Sequence, residues 1–227
     1  MDTIAEAHGG DDRGAGRRRP PGRAMLDRWP PSRTTRALAV ALLAPLLLAA
    51  CVDAGDPKAG TVPLAHVDLG RMYAGWYIVA TIPNPLERGV VESFDVLSAG
   101  PRPGVIREDF YMRRGGFGAK RNHLVSRIEV EPGSGNADWR VAPFWPIRLP
   151  FQIVYADPDY RFVLFGEQNR KWGWIYSRTQ TISDTDYTRL LGKFRALGWD
   201  TSLFRKVVQT PDQVGAPGFW SDGLSAR

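Results

Sequence analysis

Cysteine is all but missing from this chain: one residue of 227, Cys51, is a cysteine, so no internal disulfide can staple the fold. Histidine is almost as scarce, with His8, His66 and His123, and no two of them stand at metal-ligand spacing. There is no Gly-x-Ser-x-Gly elbow, phosphate loop or dinucleotide fingerprint. Nor is there an apolar run of the roughly 20 residues that a membrane-spanning helix needs. A strong charge of one sign is also lacking once the chain is divided. The net charge of +6 counts 30 basic and 24 acidic residues, but the stretch after Ala50 holds 22 basic against 19 acidic, a net of +3. The basic pI therefore owes much to the first 50 residues, and nucleic-acid binding loses its main support.

What is present begins with an unusual N-terminus. Residues 1–36 are rich in Gly, Pro and Arg with no apolar period, so no fold is assigned to them. From Ala37 to Ala50 the chain is apolar, behind Arg28, Arg33 and Arg36. A basic flank, a short apolar run and small residues at its end describe a secretory signal peptide over residues 25–50, with a buried core helix as the competing reading. Met25 then serves as an alternative start, leaving residues 1–24 as a misassigned beginning or a disordered extension. The run ends Leu48-Ala49-Ala50-Cys51, which resembles the lipobox of bacterial lipoproteins. That resemblance implies cleavage before Cys51 and acylation of its sulfur and new amino group, a multi-chain anchor that holds firmly where one chain would not. Val52 stands where an Asp would resemble an inner-membrane retention signal, so the outer membrane is the expected location, with the protein facing the periplasm. Residues 51–61 read as a tether.

The body starts near Val62. Tyr73-Ala74-Gly75-Trp76-Tyr77 opens the first strand, where the glycine permits close backbone approach, and alternation predicts Trp76, Ile78 and Ala80 on one face. Further strands are predicted over 90–97, 105–112, 123–130, 137–142, 151–156, 161–166 and 172–178, separated by Gly-, Pro- and Asp-rich turns. Ser183 with Asp186 starts a capped helix whose Tyr187, Leu190, Leu191, Phe194 and Leu197 recur at helical spacing, and Gly198 ends it. A last strand spans 203–208, and residues 212–227 read as a loose tail. The pattern predicts an all-β protein: an eight-stranded up-and-down antiparallel barrel over 62–211 with one amphipathic helix packed outside. Arg178, a lone charge ending an apolar strand, needs a partner, and a guanidinium plane stacks well on the Trp76 indole.

The order Val67-Asp68-Leu69, Tyr73-Ala74-Gly75-Trp76-Tyr77, Asp157-Pro158-Asp159-Tyr160 and Trp174-Ile175-Tyr176-Ser177-Arg178-Thr179, followed by the capped helix, resembles the lipocalins. It is most similar to the bacterial outer-membrane lipoprotein lipocalins, with apolipoprotein D a more distant relative. One departure is local: the family usually has Gly two residues before the Trp, whereas here Ala74 stands there and Gly75 is adjacent. The resemblance implies that Trp76 and Arg178 close one end of the barrel in a structural role, that Trp174 lines the pocket, and that the ligand is a fatty acid or lysophospholipid.

An eight-stranded barrel holds one small ligand or side chains alone. The candidates for a ligand-lined inner face are Phe110, Met112, Trp139, Val141, Phe151, Ile153, Tyr155, Trp174 and Tyr176, each of which could equally be filling. The proline-rich stretch from Ala142 to Phe151 predicts a loop presenting Phe144 and Trp145 at the mouth with Arg148 beside them for a phosphate, or else covering a barrel edge. The acidic pairs Asp157 with Asp159 and Glu108 with Asp109 read as solvated surface, and His123 as a strand residue facing water. No cofactor or metal is implied. Two function classes remain open: a membrane-tethered lipid carrier, homodimeric in one version, and an enzyme on the same barrel, for which Glu108, Asp109, Tyr111 and His123 are loose candidates. A scaffold with a filled barrel is a third.

Overall fold

β-Branched and aromatic residues, interrupted by Gly, Pro and Asp turns, form ten strands in the computed structural model, which describes residues 64–143 and 146–225. The signal segment, Cys51, the tether, Phe144 and Trp145 lie outside the described residues. Strands β1 (Gly75–Thr81), β2 (Val90–Ala99), β3 (Val105–Arg114), β4 (Asn122–Val130), β5 (Asp138–Ala142), β6 (Leu149–Ala156), β7 (Phe162–Gly166) and β8 (Gly173–Ser177) follow one another in antiparallel order. β1 pairs back onto β8 from Tyr77 opposite Ser177 to Thr81 opposite Trp174, which closes the barrel. The predicted strands are all found, differing only at their ends.

Alternation within β1 is not uniform, and the expectation for Ala80 is corrected accordingly. The register against β8 shifts between Ile78 and Ala80. Trp76 and Ile78 join the inner cluster, while Val79 and Ala80 both join the outer one under the helix. An extra residue in a strand reverses the facing of everything after it, because the side-chain period is two. A second shift, between Ile153 and Tyr155 in β6, does the same to Tyr155.

One end of the barrel is closed by a short helix, α1 (Leu69–Met72), capped by Asp68. Beneath it Trp76 is fully buried and its indole N–H donates to the Met72 carbonyl at 2.9 Å. The Arg178 guanidinium lies 3.5 Å from the centre of that indole and donates to the carbonyls of Tyr160 (3.1 Å), Gly75 (3.1 Å) and Arg71. Tyr160 belongs to the same closure, its hydroxyl accepting from the Asp68 N–H at 2.9 Å and its ring lying under Arg71. The adjacent glycine has a steric reason of its own. A Cβ on Gly75 would come within 2.4 Å of the Phe94 ring, so the residue before Trp76 must leave room for the neighbouring strand's aromatic.

The amphipathic helix α2 (Asp184–Ala196) starts where Ser183 accepts from the Asp186 N–H. It buries Leu190 and Phe194 against the outside of the barrel. Phe194 meets Trp199 and Phe204 at ring-centre distances of 5.1 and 4.6 Å. Gly166 and Gly173 of the sheet beneath leave room for these rings: a Cβ on Gly166 would lie 2.2 Å from Trp199 and one on Gly173 2.8 Å from Phe204. Gly198 takes a φ of +93°, the left-handed conformation that ends the helix.

The C-terminal stretch is not loose. After β9 (Arg205–Val207), Pro211–Gln213 forms a 3-10 turn, and β10 (Phe219–Trp220) pairs parallel to β9, Phe219 opposite Lys206 and Trp220 opposite Val207. The Ser225 N–H then donates to the Gly115 carbonyl at 2.9 Å. The Pro and Gly spacing that suggested a tail instead makes the turns that return it to the sheet.

Candidate functional site

Up-and-down topology puts the β1–β2, β3–β4, β5–β6 and β7–β8 connections at the end away from Trp76. Between that open end and the Trp76 floor the barrel holds a cavity of about 130 Å³. Six aromatic residues line it, Phe110, Trp139, Phe151, Phe165, Trp174 and Tyr176, together with Ile78, Leu97, Ile128 and Val141. The rings brace one another, Phe151 standing edge-on to Trp174 at 4.7 Å and Phe165 tilted against Tyr176 at 4.6 Å.

Of the nine residues read from sequence as candidate lining, Phe110, Trp139, Val141, Phe151, Trp174 and Tyr176 reach the cavity. Met112 is buried nearer the open end of β3, and Ile153 is buried in the inner cluster. Neither lines the cavity. Tyr155 is on the outside, under Lys193 of α2, because of the register shift before it. Arg148 pairs with Glu129 at 2.9 Å on the outer surface and does not line the cavity either.

The remaining lining residues are carboxylic acids: Glu87 from the β1–β2 loop, Asp95 from β2 and Glu108 from β3. Glu87 accepts from the Asn84 amide at 2.7 Å and from the Trp174 indole N–H at 2.9 Å. Burial pushes its carboxyl above the usual range, against the opposing pull of those two donors. Asp95 is 1% exposed, and its Oδ1 has no hydrogen-bond partner. Burial first and the neighbouring Glu108 second hold it well above the usual carboxylate range, while a hydrogen bond with Tyr176 opposes them. Glu108 accepts from the Ser126 hydroxyl and is likewise raised by burial.

Glu108 and Asp109 are therefore not a solvated pair. Alternation along β3 turns Glu108 inward and Asp109 outward, where Asp109 accepts from Arg107 at 2.7 Å and meets His123 at 2.7 Å. Those partners, Arg107 foremost, lower the Asp109 carboxyl to about 2. His123 also stacks on Tyr111 with ring centres 4.5 Å apart. Of the four loose catalytic candidates, three meet on the outer surface and Glu108 is on the other side of the wall. Asp157 is a further correction: it is 4% exposed and accepts from the Arg161 and Phe162 N–H groups, whereas Asp159 is exposed. Among the described residues no group of His, Cys, Asp and Glu could hold a metal ion, and no helix is long and apolar enough to cross a membrane.

Glu87 and Asp95 were not legible as site residues. Glu87 sits in a Pro-rich loop and has no periodicity to place it. Asp95 follows a register shift between Val91 and Phe94, with Glu92 at φ +53°, so alternation counted from Val90 does not give its face. A lone Asp between Phe94 and Val96 was the one available signal.

The raised acids give a stability prediction. A carboxyl that holds its proton more tightly in the folded chain than in the unfolded one loses stability as pH rises above ~4 toward its raised value. Asp95→Asn removes that loss. Between pH 5 and 8 the unmodified protein's melting temperature is expected to fall relative to that of Asp95→Asn, measured by thermal unfolding across the range; parallel curves would count against a raised Asp95.

A family model described as a lipocalin-like domain matches residues 67–209, more than half of the chain. The outer membrane lipoprotein Blc of Escherichia coli strain K12 is 28% identical over 174 residues, covering 76% of this chain and 96% of Blc. Temperature-induced lipocalin-1 of Arabidopsis thaliana is 26% identical over 163 residues, covering 66% of this chain and 86% of that protein. Among solved structures, lobster apocrustacyanin A1 superposes with a TM-score of 0.53 at 13% identity, over 69% of this chain and 94% of the crustacyanin, a likeness of fold. The barrel closed on Trp76 and Arg178, the helix packed outside it and these matches together establish that the chain belongs to the lipocalin family.

Proposed function

We propose that this lipocalin is a membrane-anchored lipid carrier of the bacterial envelope, held to the outer membrane through acylated Cys51 and facing the periplasm. The observation that carries the binding part is the aromatic-walled cavity above the Trp76 floor: it is apolar, partly enclosed and edged by a few polar groups, as small-molecule sites are. The anchoring part draws on the Leu48-Ala49-Ala50-Cys51 sequence and on the likeness to Blc, itself an outer membrane lipoprotein.

Of the two ligand classes that the family resemblance suggests, the lysophospholipid is the better match. Among the described residues of the lining, Glu87, Asp95 and Glu108 are the only ionisable acids or bases apart from Tyr176, so a fatty-acid anion drawn inside meets no lysine, arginine or histidine, and a buried charge without a partner is costly. A lysophospholipid inserts an uncharged chain and leaves its phosphate at the mouth. The β1–β2 and β3–β4 connections there carry Arg88, Lys120 and Arg121, suited to phosphate. At about 130 Å³ the cavity accepts the leading end of such a chain.

Native mass spectrometry of the delipidated protein with palmitoyl lysophosphatidylcholine is expected to show a one-to-one unmodified adduct, and palmitate a weaker one. Turnover of the lipid would favour the enzyme reading, and no adduct would favour a scaffold. In a bacterial host, Cys51→Ser is expected to abolish incorporation of labelled palmitate and to leave residues 25–50 uncleaved; a product still acylated and cleaved would remove the anchor from the reading.

A further inference from the structure

The cavity is lopsided in charge. Glu87, Asp95 and Glu108 reach it from three different elements, and no lysine, arginine or histidine lines it. Two of the acids lie deep: Asp95 is opposite Trp76 of the floor strand on one side and Phe110 on the other, and Glu108 is opposite Leu97 and Ser126. Asp95 is nearly wholly buried, yet its Oδ1 accepts no hydrogen bond. A buried acceptor without a donor is costly and uncommon, and an acceptor on a cavity wall is satisfied by whatever donor or cation enters.

The walls add a second attraction. Tyr176, Trp174 and Trp139 present rings to the same space, and the face of an aromatic ring is negative enough to hold a cation, most strongly where water is excluded. Carboxylates and ring faces around one small space form the chemistry that recognises an organic ammonium ion. We infer that the cavity binds a lipophilic amine or quaternary ammonium compound, its nitrogen seated at Asp95 and Glu108 and its carbon chain leading past Trp174 to the mouth. This rests on the cavity being the ligand site and adds a ligand class beyond lysophospholipid.

Protons and the cation compete for the same oxygens. Asp95 on β2 faces Glu108 of β3 and Tyr176 of β8, with Glu87 of the β1–β2 loop acting on both acids and Arg114 acting on Glu87. Burial keeps these carboxyls protonated to higher pH than usual. A permanent cation must displace those protons, so its affinity falls on acidification. A quaternary ammonium probe has no proton of its own to lose, which leaves the protein as the source of any pH dependence.

The test uses the purified full-length protein and three probes of matched chain, hexyltrimethylammonium, 1-hexanol and hexanoate, followed by calorimetry and by quenching of tryptophan fluorescence. Hexyltrimethylammonium is expected to bind about tenfold or more tightly than hexanol, with hexanoate weakest, and its advantage should shrink from pH 8 to pH 5 while hexanol binding stays level. Asp95→Asn and Glu108→Gln should each reduce the cation's advantage, and Asp159→Asn, the same change of charge on the exposed β6–β7 turn at the closed end, should leave it intact. Near-ultraviolet circular dichroism checks that each variant is folded, and the pH series on the unsubstituted protein stands if one is not. Hexanol and hexanoate binding as well as the cation would overturn this inference and leave the cavity a lipid site. No binding by any probe would overturn both readings.

Discussion

Trp76→Ala is expected to destabilise the barrel by about 3–5 kcal/mol, read as a lower urea midpoint at unchanged slope. The indole is fully buried in the inner cluster, and its removal opens a void at the one place where α1, β1 and the Arg178 guanidinium converge. Lost burial and the void account for most of that figure. The stacking of Arg178 on the ring adds up to ~2 kcal/mol where it is desolvated, so a double-mutant cycle of Trp76→Ala with Arg178→Ala should return a coupling of about 1–2 kcal/mol. Arg178→Ala alone is also costly, because three backbone carbonyls lose their donor. A loss below about 1 kcal/mol for Trp76→Ala would mean that the floor is not the keystone the geometry makes it.

Phe194→Ala is expected to cost a comparable 3–5 kcal/mol, but in a different part of the molecule. Phe194 is fully buried and is the residue through which α2 meets Trp199 and Phe204 on the outside of the barrel. Its loss removes the helix's main hold on the sheet without touching the cavity. Hydrogen exchange should therefore show α2 amides opening well before those of β2 to β4, whereas Trp76→Ala should expose strand amides together. Uniform loss of protection in both variants would show that helix and barrel unfold as one unit.

Much of this architecture was legible in the sequence, and for physical reasons. Eight strand runs of half-buried pattern, a capped helix with Leu190 and Phe194 one turn apart, and an Arg that needed company each declared themselves by local chemistry. Trp76 and Arg178 were paired because a charge ending an apolar strand needs a partner, whereas Trp174 was placed in the pocket by the family resemblance. What the sequence did not disclose depends on parity. Register shifts in β1, β2 and β6 reverse the facing of Ala80, Asp95 and Tyr155, and alternation carries no mark of an inserted residue. Glu108 was hidden for a different reason: β3 runs without a shift there and alternation puts it in phase with Phe110 and Met112, but next to Asp109 it looks like half of any surface pair.

The last strand has a consequence for the protein's behaviour at high concentration. A barrel that closes β1 on β8 leaves no free strand in its wall, but β9 continues the sheet past the closure and would present open backbone groups to any passing chain. β10 lies across that flank, and at two residues it is too short to serve as a template in its turn. The C-terminal segment thus acts as a guard against strand addition between copies, the route by which a crowded compartment turns β proteins into aggregates.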